Sequence, residues 1–209
     1  MKRDAKTESR RDGAQTARGS VRRDQILKAA SDLLLDGGYA SFSVRGVATR
    51  AGIRLSHVQY YFPDPADIVA ALLDRFVEQY SSEVLARFRA GPDAAGLRLL
   101  RALEYLLNDE AYRRDCAVFM LEVASFASRN VKIAAALKRY YAVYLEAMVM
   151  ILWELNPKLT PGQRRQRGVQ CIALIEGIAV TRQSLGRDAE MSFTARSTAR
   201  AIERLASMA

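Results

Sequence analysis

The sequence predicts an all-α protein: a three-helix head followed by a larger helical body. Three observations predict it. Apolar residues recur three and four positions apart along most of the 209-residue chain. The segments so marked are bounded by helix stop and start signals, Gly37–Gly38, "FPDPAD" at 62–67 and Thr160–Pro161. No stretch alternates apolar and polar residues into a hairpin turn.

The elements follow in order. Residues 1–20, "MKRDAKTESRRDGAQTARGS", are polar and nearly free of bulky apolar side chains, so they are expected to remain a disordered basic arm. In "VRRDQILKAASDLLLDGGY", Ile26, Ala30, Leu33 and Leu34 share one helical face, and the paired glycines supply a left-handed stop. "SVRGVATRA" is a short helix capped by Ser43. After Gly52 a second short helix reaches Tyr61. Asp64 as cap, Pro65 at the first helical position and Asp67 in the first turn open a helix expected to run over 64–89. Further helices are expected near 94–108, 115–128, 130–155, 161–185 and 193–207, with Thr160 and Gln163 as a capping box. The domains implied are the arm at 1–20, a three-helix head at 21–63 and a larger helical body at 64–209.

Half of the residues are apolar and 26% are charged, ordinary for a soluble globular chain. No apolar run approaches the roughly 18–20 residues that cross a bilayer, so no membrane partner is expected. The N-terminus lacks the apolar core of a secretory signal. Cys116 and Cys171 lie among apolar neighbours, as buried thiols of a reducing cytoplasm do. The net charge of +9 is uneven: residues 1–62 carry 12 Lys/Arg against 6 Asp/Glu, the remainder 20 against 17. A cationic surplus at one end favours a polyanionic partner there.

The segment "AGIRLSHVQYYFPDPADI", residues 51–68, holds the single histidine of the chain and stands in that basic end. Residues 44–61 read as two short helices joined by a tight turn. Val47, Ala51, Ile53, Val58 and Tyr61 point inward, Ala48 sits where the helices cross, and Gly52 supplies a backbone angle most residues avoid. This is the spacing of a helix-turn-helix, whose second helix enters a DNA major groove.

The run "SVRGVATRAGIRLSHVQYYFPDPADIVAALL" resembles the DNA-binding region of TetR-type transcriptional regulators, a likeness covering residues 22–73. The resemblance implies roles for particular residues. Ser43 bonds phosphate while capping its helix, and Arg45 reaches a base edge or phosphate. Arg54, Leu55, Ser56 and His57 open the recognition helix, Arg54 reading guanine and Leu55 packing on a thymine methyl. Gln59 and Tyr60 face DNA, Tyr60 toward a phosphate. One departure is plain: many members of the family carry lysine where this chain has Pro65, which removes a cation beside the following helix.

The helix at 161–185 is apolar nearly all round through "VQCIALIEGIAV". Such a helix must be covered on both sides, by its own domain and by a partner subunit. The resemblance points the same way, to a four-helix bundle across a two-fold axis. Cys171, Leu174, Ile175, Ile178, Arg182 and Ile202 are the residues expected at that dimer interface. An effector pocket is expected between helices of the body, with Phe119, Glu122, Phe126, Tyr140, Tyr144 and Trp153 as its lining. These aromatics, with Glu122, Glu146 and Glu176 in apolar company, suit an apolar or cationic-amphipathic effector. No cofactor, metal cluster or catalytic pair is legible, since the one histidine lies in the DNA-facing segment. The function read from the sequence is a cytoplasmic, dimeric DNA-binding regulator, a repressor released from a palindromic operator by an effector. A helical small-molecule or lipid-binding protein is the competing reading, and it leaves residues 43–62 unexplained.

Overall fold

A computed structural model describes residues 4–38, 42–78, 82–108, 110–185 and 194–208. Among these the chain is helical between short links, without a strand, as the periodicity predicts. It divides into two compact units, Met1–Leu72 and Leu73–Ala209.

The first unit begins with α1 (Asp4–Gly37). The sequence reading places a disordered arm over residues 1–20, whereas this helix starts within it. Nine of the seventeen residues at 4–20 are Ala, Arg, Lys, Glu or Gln, good helix formers, and none is bulky and apolar. Further along the helix, Ile26, Leu27, Ala30 and Leu34 are buried. Gly38 takes the expected left-handed conformation (φ 62°) after the helix. Two short helices follow, α2 (Val44–Ala51) and α3 (Leu55–Tyr61). Phe42, Val47, Ala48, Val58, Phe62 and Ile68 join the α1 residues as the core of this unit.

Next comes α4 (Pro65–Phe76), across which the division between the units falls. The Asp64 carboxylate accepts the Ala66 N–H at 2.9 Å, so Asp64 and Pro65 open the helix as expected. Of the helix expected over 64–89, the structure describes α4, a π turn at Val77–Glu78 and α5 (Ser82–Arg89), and residues 79–81 lie outside the described residues. The apolar spacing continues across this junction, and a spacing pattern does not register a local change of winding.

The second unit adds α6 (Ala95–Asn108), α7 (Glu110–Ala127), α8 (Val131–Leu155), α9 (Pro161–Leu185) and α10 (Ala195–Ser207). The paired helices are α8 with α9, α5 with α6, and α6 with α10, while α7 lies on α8. Their ends are set by side chains. Asn130 accepts the N–H groups of Lys132 and Ile133 at 3.0 and 3.2 Å. Thr160 and Gln163 form the expected reciprocal box at the start of α9. At the far end of α10, Arg167 donates to the carbonyls of Ala206 (3.3 Å) and Met208 (2.8 Å), and Asn156 donates to Ala206 as well (2.8 Å). A buried guanidinium there meets the negative end of the helix dipole. Gly168 lets α9 lie directly on α8: a Cβ at this position would stand 2.8 Å from the Leu145 side chain.

The core of this unit gathers Phe88, Leu103, Met148, Leu152, Cys171 and Ile202 with their neighbours. Burial pushes the Cys171 thiol up to about 12, so it stays protonated and inert. The side chain of Cys116 lies outside the described residues. Among the described residues no helix is long and apolar enough to cross a membrane.

Candidate functional site

The helix pair is assembled from its caps inward. Ser43, in extended backbone, accepts the Gly46 N–H at 3.0 Å and starts α2. The helix ends on Gly52 at φ 65°, where the Gly52 N–H reaches the Thr49 carbonyl (3.1 Å) and the Ile53 N–H that of Ala48 (3.0 Å). This doubled closure is a Schellman turn and needs a left-handed residue at its centre. No atom lies within 4 Å of where a Gly52 Cβ would stand, so conformation rather than space requires glycine. Arg54 then acts as backbone cap of α3, its carbonyl accepting the His57 N–H at 2.9 Å.

One buried residue determines which way α3 faces. Val58 is fully enclosed, and its neighbours Arg54, Ser56, His57, Gln59 and Tyr60 are all exposed, Tyr60 to 80%. Leu55 is half-buried, as are Ile53 and Tyr61. Tyr61 meets the Tyr60 ring edge-on at 5.2 Å, and its hydroxyl lies 3.9 Å from the place of a Cβ on Gly19. On α2, Ser43 and Arg45 are exposed too, and Val47, Ala48 and Ala51 are buried beneath. The eight side chains expected to meet DNA therefore lie on the outside of this helix pair or at its rim.

The sequence did not reveal how α2 is tied to α1. The Gln25 amide donates to the Ala51 carbonyl, the last of α2, at 2.7 Å, and Arg22 donates to the Gln25 oxygen at 2.8 Å. Arg50 pairs with Asp36 at 2.8 Å, and Arg23 lies over the Phe62 ring at 5.4 Å. Contacts between residues 26 positions apart leave no trace in local periodicity.

A cavity of about 610 Å³, its open mouth included, lies among α5, α6, α8 and α9 of the second unit, with the last residue of α4 at its wall. Tyr140 and Tyr144 line it, as expected. Phe119, Glu122, Phe126 and Trp153 do not. Phe119 is buried behind the wall, stacked on the lining residue Phe76 at 5.2 Å. Glu122 and Phe126 are half-buried on α7, which packs on α8 instead of facing the cavity. Trp153 is 52% exposed on the outside of α8. An aromatic at helical spacing marks a face of a helix but not what that face meets.

The expected dimer residues need a larger correction. Cys171, Ile175, Ile178 and Ile202 are buried in the core of their own unit and so are closed to a partner. Leu174 is half-buried, and the Arg182 side chain lies outside the described residues. The helix does have two apolar faces, but the exposed one carries Val169, Ala173, Gly177 and Val180. Glu176, beside the inward face, accepts the Tyr141 hydroxyl at 2.6 Å. Burial raises its carboxyl above the ordinary range, and this hydrogen bond draws it part of the way back.

Comparison with known proteins agrees with this geometry. Residues 26–72 match the family described as bacterial regulatory proteins, tetR family. An HTH-type transcriptional regulator encoded in the dhlA 5′ region of Xanthobacter autotrophicus is 30% identical over 170 residues, 78% of this chain and 80% of that protein. Among solved structures, a transcriptional regulator from Saccharomonospora viridis in complex with choline shares the fold with a TM-score of 0.71 at 21% identity, covering 88% of this chain and 95% of that one. FadR from Bacillus subtilis in complex with stearoyl-CoA shares it with a TM-score of 0.64 at 18% identity, covering 87% and 96%. With α2 and α3 as its DNA-binding helix-turn-helix, the chain belongs to the tetR family of transcriptional regulators.

Proposed function

We propose that the protein is a dimeric repressor, released from a palindromic operator when a small molecule fills the cavity of its helical unit. The observation that carries the reading is the exposed row on α3, held outward by the buried Val58. In this reading Arg54 meets a guanine edge, Leu55 a thymine methyl, and Ser56, His57 and Gln59 neighbouring base edges. Tyr60 and Ser43 hold phosphates, and Arg45 a phosphate or base edge. A partner copy covers the exposed face of α9 around Ala173, and the pair presents two α3 helices roughly 34–36 Å apart, one turn of DNA. The site of action is the cytoplasm.

Release is a population shift. Phe76 lines the cavity and ends α4, the helix that begins four residues after α3, so an occupant of the cavity touches the element that continues into the DNA-reading unit. The effector must prefer the form whose two α3 helices do not fit the operator, because only differential affinity moves the equilibrium. An effector that binds equally well with and without operator contradicts this mechanism.

Sedimentation equilibrium tests the assembly: the wild-type protein is expected at twice 23.3 kDa and an Ala173→Arg variant at 23.3 kDa. Transcription in vitro from a promoter carrying the operator is expected to fall when the protein is added. A monomeric wild type removes the dimer, and unchanged or increased transcript removes the repressor.

A further inference from the structure

We propose that the cavity of the second unit takes an uncharged, largely hydrocarbon molecule and discriminates against small cations. The inference rests on the reading of this cavity as the effector site and names the class of effector. Of the twelve residues that line it, nine are aliphatic or methionine, three are aromatic, and none is charged. A cation in such a place loses its water without gaining a counter-ion, which is costly.

The carboxylates near α8 and α9 are committed elsewhere. Glu176 follows the lining residue Ile175 but accepts the Tyr141 hydroxyl at 2.6 Å. Glu146 pairs with Arg165 at 3.2 Å, and Glu154 pairs with Arg98. The rings do not form a cage either. Phe76 is stacked on Phe119, and Tyr140 meets Tyr144 edge to face at 6.2 Å, so part of each π surface is taken up by another ring. A quaternary ammonium is held by several ring faces directed at one point. An alkyl or aryl body asks only for apolar surface, and this lining supplies it.

The test uses the full-length protein without DNA and N-phenyl-1-naphthylamine, a neutral probe that fluoresces in apolar sites. Choline and 3,3-dimethylbutan-1-ol, which replaces its charged nitrogen by carbon, then compete for the probe, alongside decan-1-ol. The expected result is probe binding, displacement by decan-1-ol, and displacement by 3,3-dimethylbutan-1-ol at a concentration at least about tenfold lower than choline requires, a difference of about 1.4 kcal/mol. An Ala147→Phe variant, whose added ring enters the cavity, is expected to melt as a folded protein and to lose the probe. Choline competing as well as its carbon isostere overturns the proposal. So does an absence of probe binding, or full binding by a folded Ala147→Phe protein. The isostere comparison stands on the wild type alone if that variant does not fold. Neutral ligands that bind here yet leave operator binding unchanged support the inference on ligand class and overturn the effector role.

Discussion

Val58 orients the helix it sits on, because burying it turns Arg54, Ser56, His57, Gln59 and Tyr60 outward together. Each of these residues then has its own expected signature. Arg54→Ala is expected to weaken binding to the selected operator by about 1–3 kcal/mol and to relax preference at one base position, as read by competition with single-base variants. Arg45→Ala, if it loses a phosphate contact, weakens all sequences alike and lowers the slope of log affinity against log salt by about one. Away from DNA, Glu176 provides a pH signature. Its folded-state carboxyl is raised by burial, so the folded chain holds that proton more tightly than the unfolded chain does. The group therefore favours the fold below its ordinary value of 4.5 and loses that contribution as pH rises through the folded value. Glu176→Gln, which still accepts from Tyr141, is expected to gain stability relative to wild type between pH 4.5 and 7.5 in urea unfolding. An unchanged difference across that range contradicts the burial of this carboxylate. At this scale the outward row of α3 was legible because a short motif carries it. The outward face of α9 was not: Cys171, Ile175 and Ile178 recur at the same spacing as Ala173, Gly177 and Val180, and spacing does not say which stripe faces inward.

Among the elements, two tethers carry testable weight. Gln25 links α1 to the end of α2, so Gln25→Leu leaves the Ala51 carbonyl without this donor. The expected cost is about 1 kcal/mol, with faster hydrogen exchange in α2 and α3 than in the second unit. Arg167 closes the end of α10 from within the core. Arg167→Met removes both of its hydrogen bonds to that terminus, and a loss of about 1.5–3 kcal/mol is expected, several degrees in melting temperature for a chain of this size. A melting temperature equal to wild type would show that α10 is held by its apolar contacts alone. The helices themselves were legible wherever caps bracket a periodic run, as Thr160 and Gln163 do for α9 and Asp64 does for α4. The π turn at Val77–Glu78 was not, since the apolar face runs on across it. Long-range tethers such as Gln25 are invisible for a different reason: they are set by tertiary packing, which brings together residues far apart in the chain.

For the whole molecule, the surplus of basic charge in the first 62 residues and the exposed row on α3 lie on one unit, and the cavity and the outer face of α9 on the other. In the proposed reading, the first unit reads DNA and the second answers to an effector. The central claim is that α3 reads a defined sequence. The most direct measurement incubates the purified protein with random duplex DNA at about 150 mM salt, where non-specific phosphate contacts are weakened, and sequences what is retained. The expected result is one enriched palindrome whose half-site centres lie one helical turn apart and whose enrichment is lost with Arg54→Ala. Retention without an enriched sequence, unchanged by that substitution, would contradict the claim that this helix reads DNA.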